Sequence, residues 1–109
     1  MDRYRGLMRL VLNDETMEIM RLAVEEGMYP SQIATKLGKS KSFVVKKLNE
    51  LEGYGIIKSR FSRRQGSVVK KFQLVVEEFT LKVNLKLREV KLEEKRRKAM
   101  PTERIRELL

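Results

Sequence analysis

The stretch Pro30–Tyr54, PSQIATKLGKSKSFVVKKLNELEGY, constrains this chain more than any other. Pro30 suits the first position of a helix, where its missing N–H costs nothing. Gln32 can reach back to the entering backbone as half of a capping box. Ile33 and Leu37, four apart, set one apolar stripe inward. Gly38 stands where a helix ending in a left-handed residue calls for glycine, and Ser40 where the next helix needs an N-cap oxygen. The spacing predicts two short helices meeting at a tight turn.

In the second helix Val44, Leu48 and Leu51 recur at i, i+4 and i+7 and mark a buried seam. The opposite side carries Lys41, Ser42, Val45, Lys46 and Asn49, with Lys39 and Ser40 at its entrance. In a helix-turn-helix the N-terminal part of the second helix enters the major groove of DNA. There asparagine can bond adenine, lysine can approach guanine, and valine can touch a thymine methyl. The plain alternative is a solvated helix face.

Charge points the same way. The chain has 109 residues and a net charge of +10. Residues 1–38 hold 5 basic and 6 acidic side chains, residues 39–71 hold 10 and 2, and residues 72–109 hold 10 and 7. A basic excess confined to the middle third is the footprint of a polyanion, because each cation near a phosphate releases condensed counterions. A merely solubilising surface would spread the charge more evenly.

Composition excludes much else. There is no cysteine and no histidine, which removes disulfides, thiolate metal sites, Cys nucleophiles and His general bases. No acidic pair, Gly-rich phosphate loop or nucleophile motif stands out, so an enzyme is not expected. No metal or other cofactor is expected either. No run of about 18 apolar residues exists, and Arg3 and Arg5 precede no signal-peptide core. A cytoplasmic protein with no membrane partner is expected. Lys, Arg and Glu are abundant while Asn and Gln are sparse, a balance found in hyperthermophile proteins.

Residues 1–12 form an N-terminal packing segment: Leu7, Met8, Leu10, Val11 and Leu12 are too many apolar residues for a loose tail, but the segment is too short to separate helix from strand. Asn13 offers an N-cap with Asp14 and Glu15 in the first turn. Ile19, Met20, Ala23 and Val24 then cover the inner side of the motif, and Gly27 ends that helix. After Gly53 and Gly55 the period changes. Ile56–Phe61 and Val68–Val76 read as two strands of a hairpin separated by Ser62–Ser67, with Gly66 at the turn. Arg60, Arg63, Arg64, Lys70 and Lys71 on this hairpin would reach a flanking backbone or minor groove.

The succession Ile33-Ala34, Leu37-Gly38, Ser40, Ser42, Val44, Leu48, Leu51, then Gly55-Ile56-Ile57-Lys58 and a basic hairpin, resembles the ArsR-like winged helix-turn-helix repressors over residues 13–76. The resemblance implies an α+β fold, a winged helix-turn-helix domain with a two-stranded wing, to which the residues that follow add a C-terminal strand/helix extension. It also implies a regulator that binds double-stranded DNA as a homodimer on a two-fold operator, and the composition adds the expectation of a thermophilic, archaeal source. Ser40, Lys41, Ser42, Lys46 and Asn49 would serve the recognition helix, and Arg63 and Arg64 the wing. Phe43 and Val45 depart from the small polar residues usual there. The metal-sensing cysteines of the family have no counterpart, so no inducing metal carries over.

Residues 77–109 extend beyond that pattern and are expected to dimerise. Phe79, Leu81, Val83, Leu85 and Leu87 alternate with polar residues and predict an amphipathic strand over 79–88. Its apolar face would pair with a second subunit or, equally, add a strand to the wing sheet. Glu89–Lys98 is nearly all charge and reads as an exposed helix or frayed tail. Pro101 starts a short helix ending Ile105, Leu108, Leu109, which needs tertiary contact at that length. The rival to a sequence-specific repressor is an architectural or protein-interaction winged helix without sequence specificity.

Overall fold

A computed structural model describes residues 2–97. It shows a mixed α+β chain with four helices followed by two small antiparallel sheets, α1 Asp2–Val11, α2 Asp14–Val24, α3 Pro30–Leu37, α4 Lys41–Gly53, β1 Ile57–Arg64, β2 Ser67–Leu74, β3 Val76–Asn84 and β4 Glu89–Arg96. The chain divides into two compact units, the first ending at Leu74 and the second beginning at Val75. Among the described residues no helix is long and apolar enough to cross a membrane. The helix expected from Pro101 through Leu109 lies outside the described residues.

Each helix of the first unit starts and stops for a local reason. The segment left open between helix and strand is α1. Asn13 caps α2, its Oδ1 accepting the Thr16 N–H at 2.9 Å. That helix ends at Val24, before the glycine expected to stop it. Gly27, at φ +64°, turns the chain so that the Met28 N–H reaches the Leu22 carbonyl at 3.0 Å. Pro30 opens α3, and the Tyr29 N–H donates to Gln32 Oε1 at 2.8 Å. Gly38 closes α3 at φ +66°, and the Ser40 hydroxyl accepts the Phe43 N–H at 3.1 Å to start α4.

The apolar faces of these helices meet in one core. Leu7 and Leu10 of α1, Ile19, Leu22 and Ala23 of α2, Ile33 and Ala34 of α3, and Val44, Leu48 and Leu51 of α4 are all buried. Ile56, Ile57 and Phe72 add the foot of the β1–β2 sheet. Burying a Leu or Ile side chain contributes about 1.5–3 kcal/mol, so this set supplies the main driving force for the unit. Two expectations shift. Leu37 is only half-buried, and α2 buries Leu22 and Thr16 where Met20 and Val24 were expected to lie inward. Thr16 is tolerated because its hydroxyl also bonds Asn13 Oδ1, at 3.2 Å.

The hairpin differs from its expected outline. Ser62, Arg63, Arg64 and Ser67 are strand residues, and the turn is only Gln65–Gly66. Both have positive φ, 51° and 82°, the type I′ geometry whose twist matches that of the flanking strands. The register runs from Ile57 opposite Leu74 to Arg64 opposite Ser67.

In the second unit the strand expected over 79–88 is β3, and it stops at Asn84. Leu85 and Leu87 lie in the turn, the former 84% exposed. The Asn84 side chain accepts the Leu87 N–H at 3.0 Å, and Arg88 takes φ 55°, so an Asx-type turn breaks the alternation. The strand joins neither the β1–β2 sheet nor an isolated edge. It pairs with β4, in the segment read as exposed helix or frayed tail. Val83 faces Val90 and Leu81 faces Leu92 across the ladder. These apolar cross-strand pairs outweigh the charged composition that suggested disorder.

Candidate functional site

The outward side of α4 is fixed by its buried one. With Val44, Leu48 and Leu51 locked in the core, the 3.6-residue period turns Lys41, Ser42, Lys46 and Asn49 to solvent. Val45 is half-buried at the centre of this side, and the same five residues with Glu50 line an open recess. Lys41 and Lys46 have no carboxylate partner among the described residues.

The entrance residues are more engaged. The Lys39 ammonium lies 3.2 Å from Glu15 and 5.5 Å from the centre of the Phe43 ring. The Ser40 oxygen caps the helix, which leaves its O–H as a donor. Lys47 covers Phe43 as well, its ammonium 5.6 Å from the ring centre. Phe43 therefore sits half-buried under two cations, an arrangement favoured by the ring quadrupole, and does not form an apolar centre to the outward side.

The hairpin cations do not form one group, as they do in the sequence. Residues directly opposite in an antiparallel pair share a face, and faces alternate along each strand. Arg60 and Lys71, which are opposite, share one face with Lys58. Arg63 and Lys70 share the other with Phe61 and Val68. Arg64 is the last residue of β1. No carboxylate occurs from Gly53 to Val76, so both faces are cationic and no acid of the hairpin itself neutralises them.

Glu52 joins this hairpin to α4. Its Oε2 accepts the Ser59 hydroxyl at 2.7 Å and the Ser59 N–H at 2.8 Å, and its other oxygen lies 3.6 Å from the Lys70 ammonium. The Ser59 hydroxyl, the Ser59 N–H and Lys70 hold the Glu52 carboxyl below its ordinary range, against the opposing effect of burial. Lys70 is consequently directed to the foot of the hairpin, where it also lies 5.5 Å from the Phe72 ring centre.

The apolar residues expected to dimerise separate into two groups. Phe79, Leu81 and Val83 share one face of β3, and Val90 and Leu92 of β4 complete it. Leu85 and Leu87 belong to the turn. Sequence reasoning missed Lys58, the Glu52–Ser59 link, and the exposure of Phe61 and Val68. Strand alternation was the available signal for Lys58, whereas the exposures depend on how far along the hairpin the core extends. Compared with known proteins, the chain matches no protein-family model, no curated protein and no solved structure.

Proposed function

We propose that this chain is a sequence-specific double-stranded DNA-binding regulator, a winged helix-turn-helix of the ArsR-like kind, acting as a cytoplasmic homodimeric repressor. The observation that carries the reading is the outward side of α4, where Lys41, Ser42, Lys46 and Asn49 stand exposed and, among the described residues, neither lysine has a carboxylate partner. α3 and α4 meet at the short turn Gly38–Ser40, and α4 is the recognition helix. Its lysines supply phosphate or guanine contacts, and Asn49 and Ser42 supply hydrogen bonds to base edges. The β1–β2 hairpin is the wing, its tip and the exposed cations Arg60, Arg63 and Lys71 reaching the flanking backbone or minor groove.

The second unit is the dimerisation element. An isolated two-stranded hairpin is at best marginally stable in water, and one with an apolar face gains stability by covering it. A second copy provides a matching face of Phe79, Leu81, Val83, Val90 and Leu92. Two recognition helices would then meet successive major grooves about 34 Å apart.

Selection of bound sites from a random duplex library tests binding, specificity and two-fold spacing together. Lys46→Ala is expected to weaken binding and lower the salt slope by about 1. Equal binding of promoter DNA by wild type, Lys46→Ala and Arg60→Ala would refute the reading. A complex that random duplex competes away completely would favour the non-specific architectural alternative.

A further inference from the structure

The first unit's core ends partway along β1 and β2, at Ile57 and Phe72, yet the face that contains them continues outward with a large aromatic residue. Phe61 is 70% and Val68 65% exposed. Phe61 is opposite Lys70 and Val68 opposite Arg63, so the two apolar residues are diagonal neighbours on one face. Such neighbours lie about 7–8 Å apart, within reach of an aromatic side chain. Together they form one apolar surface with Arg63 beside it. Lys70 is drawn toward Glu52 and leaves this surface open.

Packing within the unit does not explain an aromatic residue at position 61. An exposed aromatic on a two-stranded ribbon is, moreover, an aggregation liability. The surrounding charge selects among possible occupants. With no carboxylate from Gly53 to Val76, the surface suits a polyanion that also offers flat apolar rings, which is the chemistry of a nucleic acid with accessible bases.

We propose that Phe61 is a stacking platform for an unpaired nucleobase, with Val68 completing the surface and Arg63 meeting the adjacent phosphate. This rests on the nucleic-acid reading given above and adds a substrate preference to it. The protein binds a duplex containing an unpaired base more tightly than the same duplex fully paired. Position on the strand favours an unpaired base over insertion into the stack. Phe61 lies four residues before Gln65, about 13 Å from the turn at the strand rise. A hairpin tip probing a minor groove about 7.5 Å deep therefore leaves Phe61 outside the duplex, where only a base swung out of the stack reaches it. Stacking also tolerates any base, because every base has a π-face.

The test compares two labelled duplexes of one sequence, fully paired or carrying a single bulged nucleotide, by fluorescence anisotropy with the full chain. Wild type is expected to prefer the bulged duplex by about 5- to 150-fold, the range that base–aromatic stacking gives on alanine substitution. Phe61→Ala should abolish that preference while binding the paired duplex within about twofold of wild type, since only the stacked base is lost. Phe61→Trp should keep it, and its indole, the only one in a chain with Trp 0, should be quenched by the bulged duplex alone. Retention of the full preference by Phe61→Ala overturns the proposal, as does equal binding of both duplexes by wild type. In either case the duplex-binding reading survives, whereas failure to bind any duplex removes both. Reduced self-association of Phe61→Ala with an unchanged preference would assign the surface to a second copy and also overturn the proposal. Because the side chain is so exposed, Phe61→Ala should melt as wild type does, and a circular dichroism melt confirms that the comparison is between folded proteins.

Discussion

Removing Glu52 should uncouple the hairpin from α4 at a measurable cost. The carboxylate accepts two hydrogen bonds from Ser59, at 2.7 and 2.8 Å, and lies 3.6 Å from Lys70. Hydrogen bonds to a charged group contribute about 1.5–3 kcal/mol each when fully sheltered. The Glu52 side chain retains 31% exposure, which screens the charge and places the pair near the lower end of that range. Glu52→Ala should therefore cost about 2 kcal/mol, and Glu52→Gln, which keeps one acceptor, about 1 kcal/mol. For a unit of this size each kcal/mol lowers Tm by roughly 4–8 °C, so the alanine variant should melt roughly 8–16 °C below wild type. The dependence on pH follows from the lowered carboxyl pKa. Stability from a depressed carboxyl is fully present above the ordinary value of 4.5 and is lost as pH falls through the lower folded-state value. Thermal melts of wild type and Glu52→Gln at pH 7 should differ clearly, and the difference should shrink below pH 4.5. Hydrogen exchange at the Ser59 amide should accelerate in both variants. An alanine variant within 2 °C of wild type by thermal melt, against the roughly 8 °C minimum expected, would refute the reasoning. So would a wild-type to Gln difference that persists unchanged at low pH.

Other expected outcomes rest on separate contacts. Gly6 lies under Tyr54, whose hydroxyl stands where a Cβ would be, with the ring carbon behind it at 3.4 Å. Gly6→Ala should lower stability by about 1–2 kcal/mol despite the better helix propensity of alanine. The double variant Gly6→Ala with Tyr54→Phe should recover that loss, and urea unfolding of both proteins measures it. Gln65 holds φ 51° at the first turn position of the β1–β2 hairpin. Replacing it with asparagine, which suits a type I′ turn, should raise stability by about 0.5–1 kcal/mol. Val83→Lys places a charge in the apolar face of β3 and should weaken self-association in sedimentation equilibrium. Unchanged association would move the proposed dimer contact elsewhere.

The sequence made the helical half legible because its signals are local. Gly38, Ser40, Asn13, Pro30 and Gln32 act on backbone groups within a few residues of themselves, so their identity and spacing suffice to place helix ends. The seam Val44, Leu48, Leu51 follows from one period, and that period also determined which α4 residues face outward. The outward side is thus readable without coordinates. What it binds is a chemical inference from residue type and charge.

The strand half was less legible because the face a strand residue takes depends on the register with its partner strand, not on its own nearest neighbours. Glu89–Arg96 offers mostly charge, and only the ladder with Val83 and Leu81 reveals that Val90 and Leu92 form a period-two face. Leu85 and Leu87 continue the alternation of β3, yet the Asn84 side chain and the positive φ of Arg88 hold them in a turn. The division of the hairpin cations between two faces likewise required the register. A one-residue change in it would exchange Arg60 with Phe61. By itself, then, the sequence determined α2, α3 and α4, their caps and the basic segment, since those depend on neighbours along the chain. Only the tertiary structure decided that Phe61 lies beyond the core, that Glu52 ties α4 to the hairpin, and that β3 finds its partner in β4. Burial and strand pairing depend on which distant residues come together, and no single stretch of sequence carries that information.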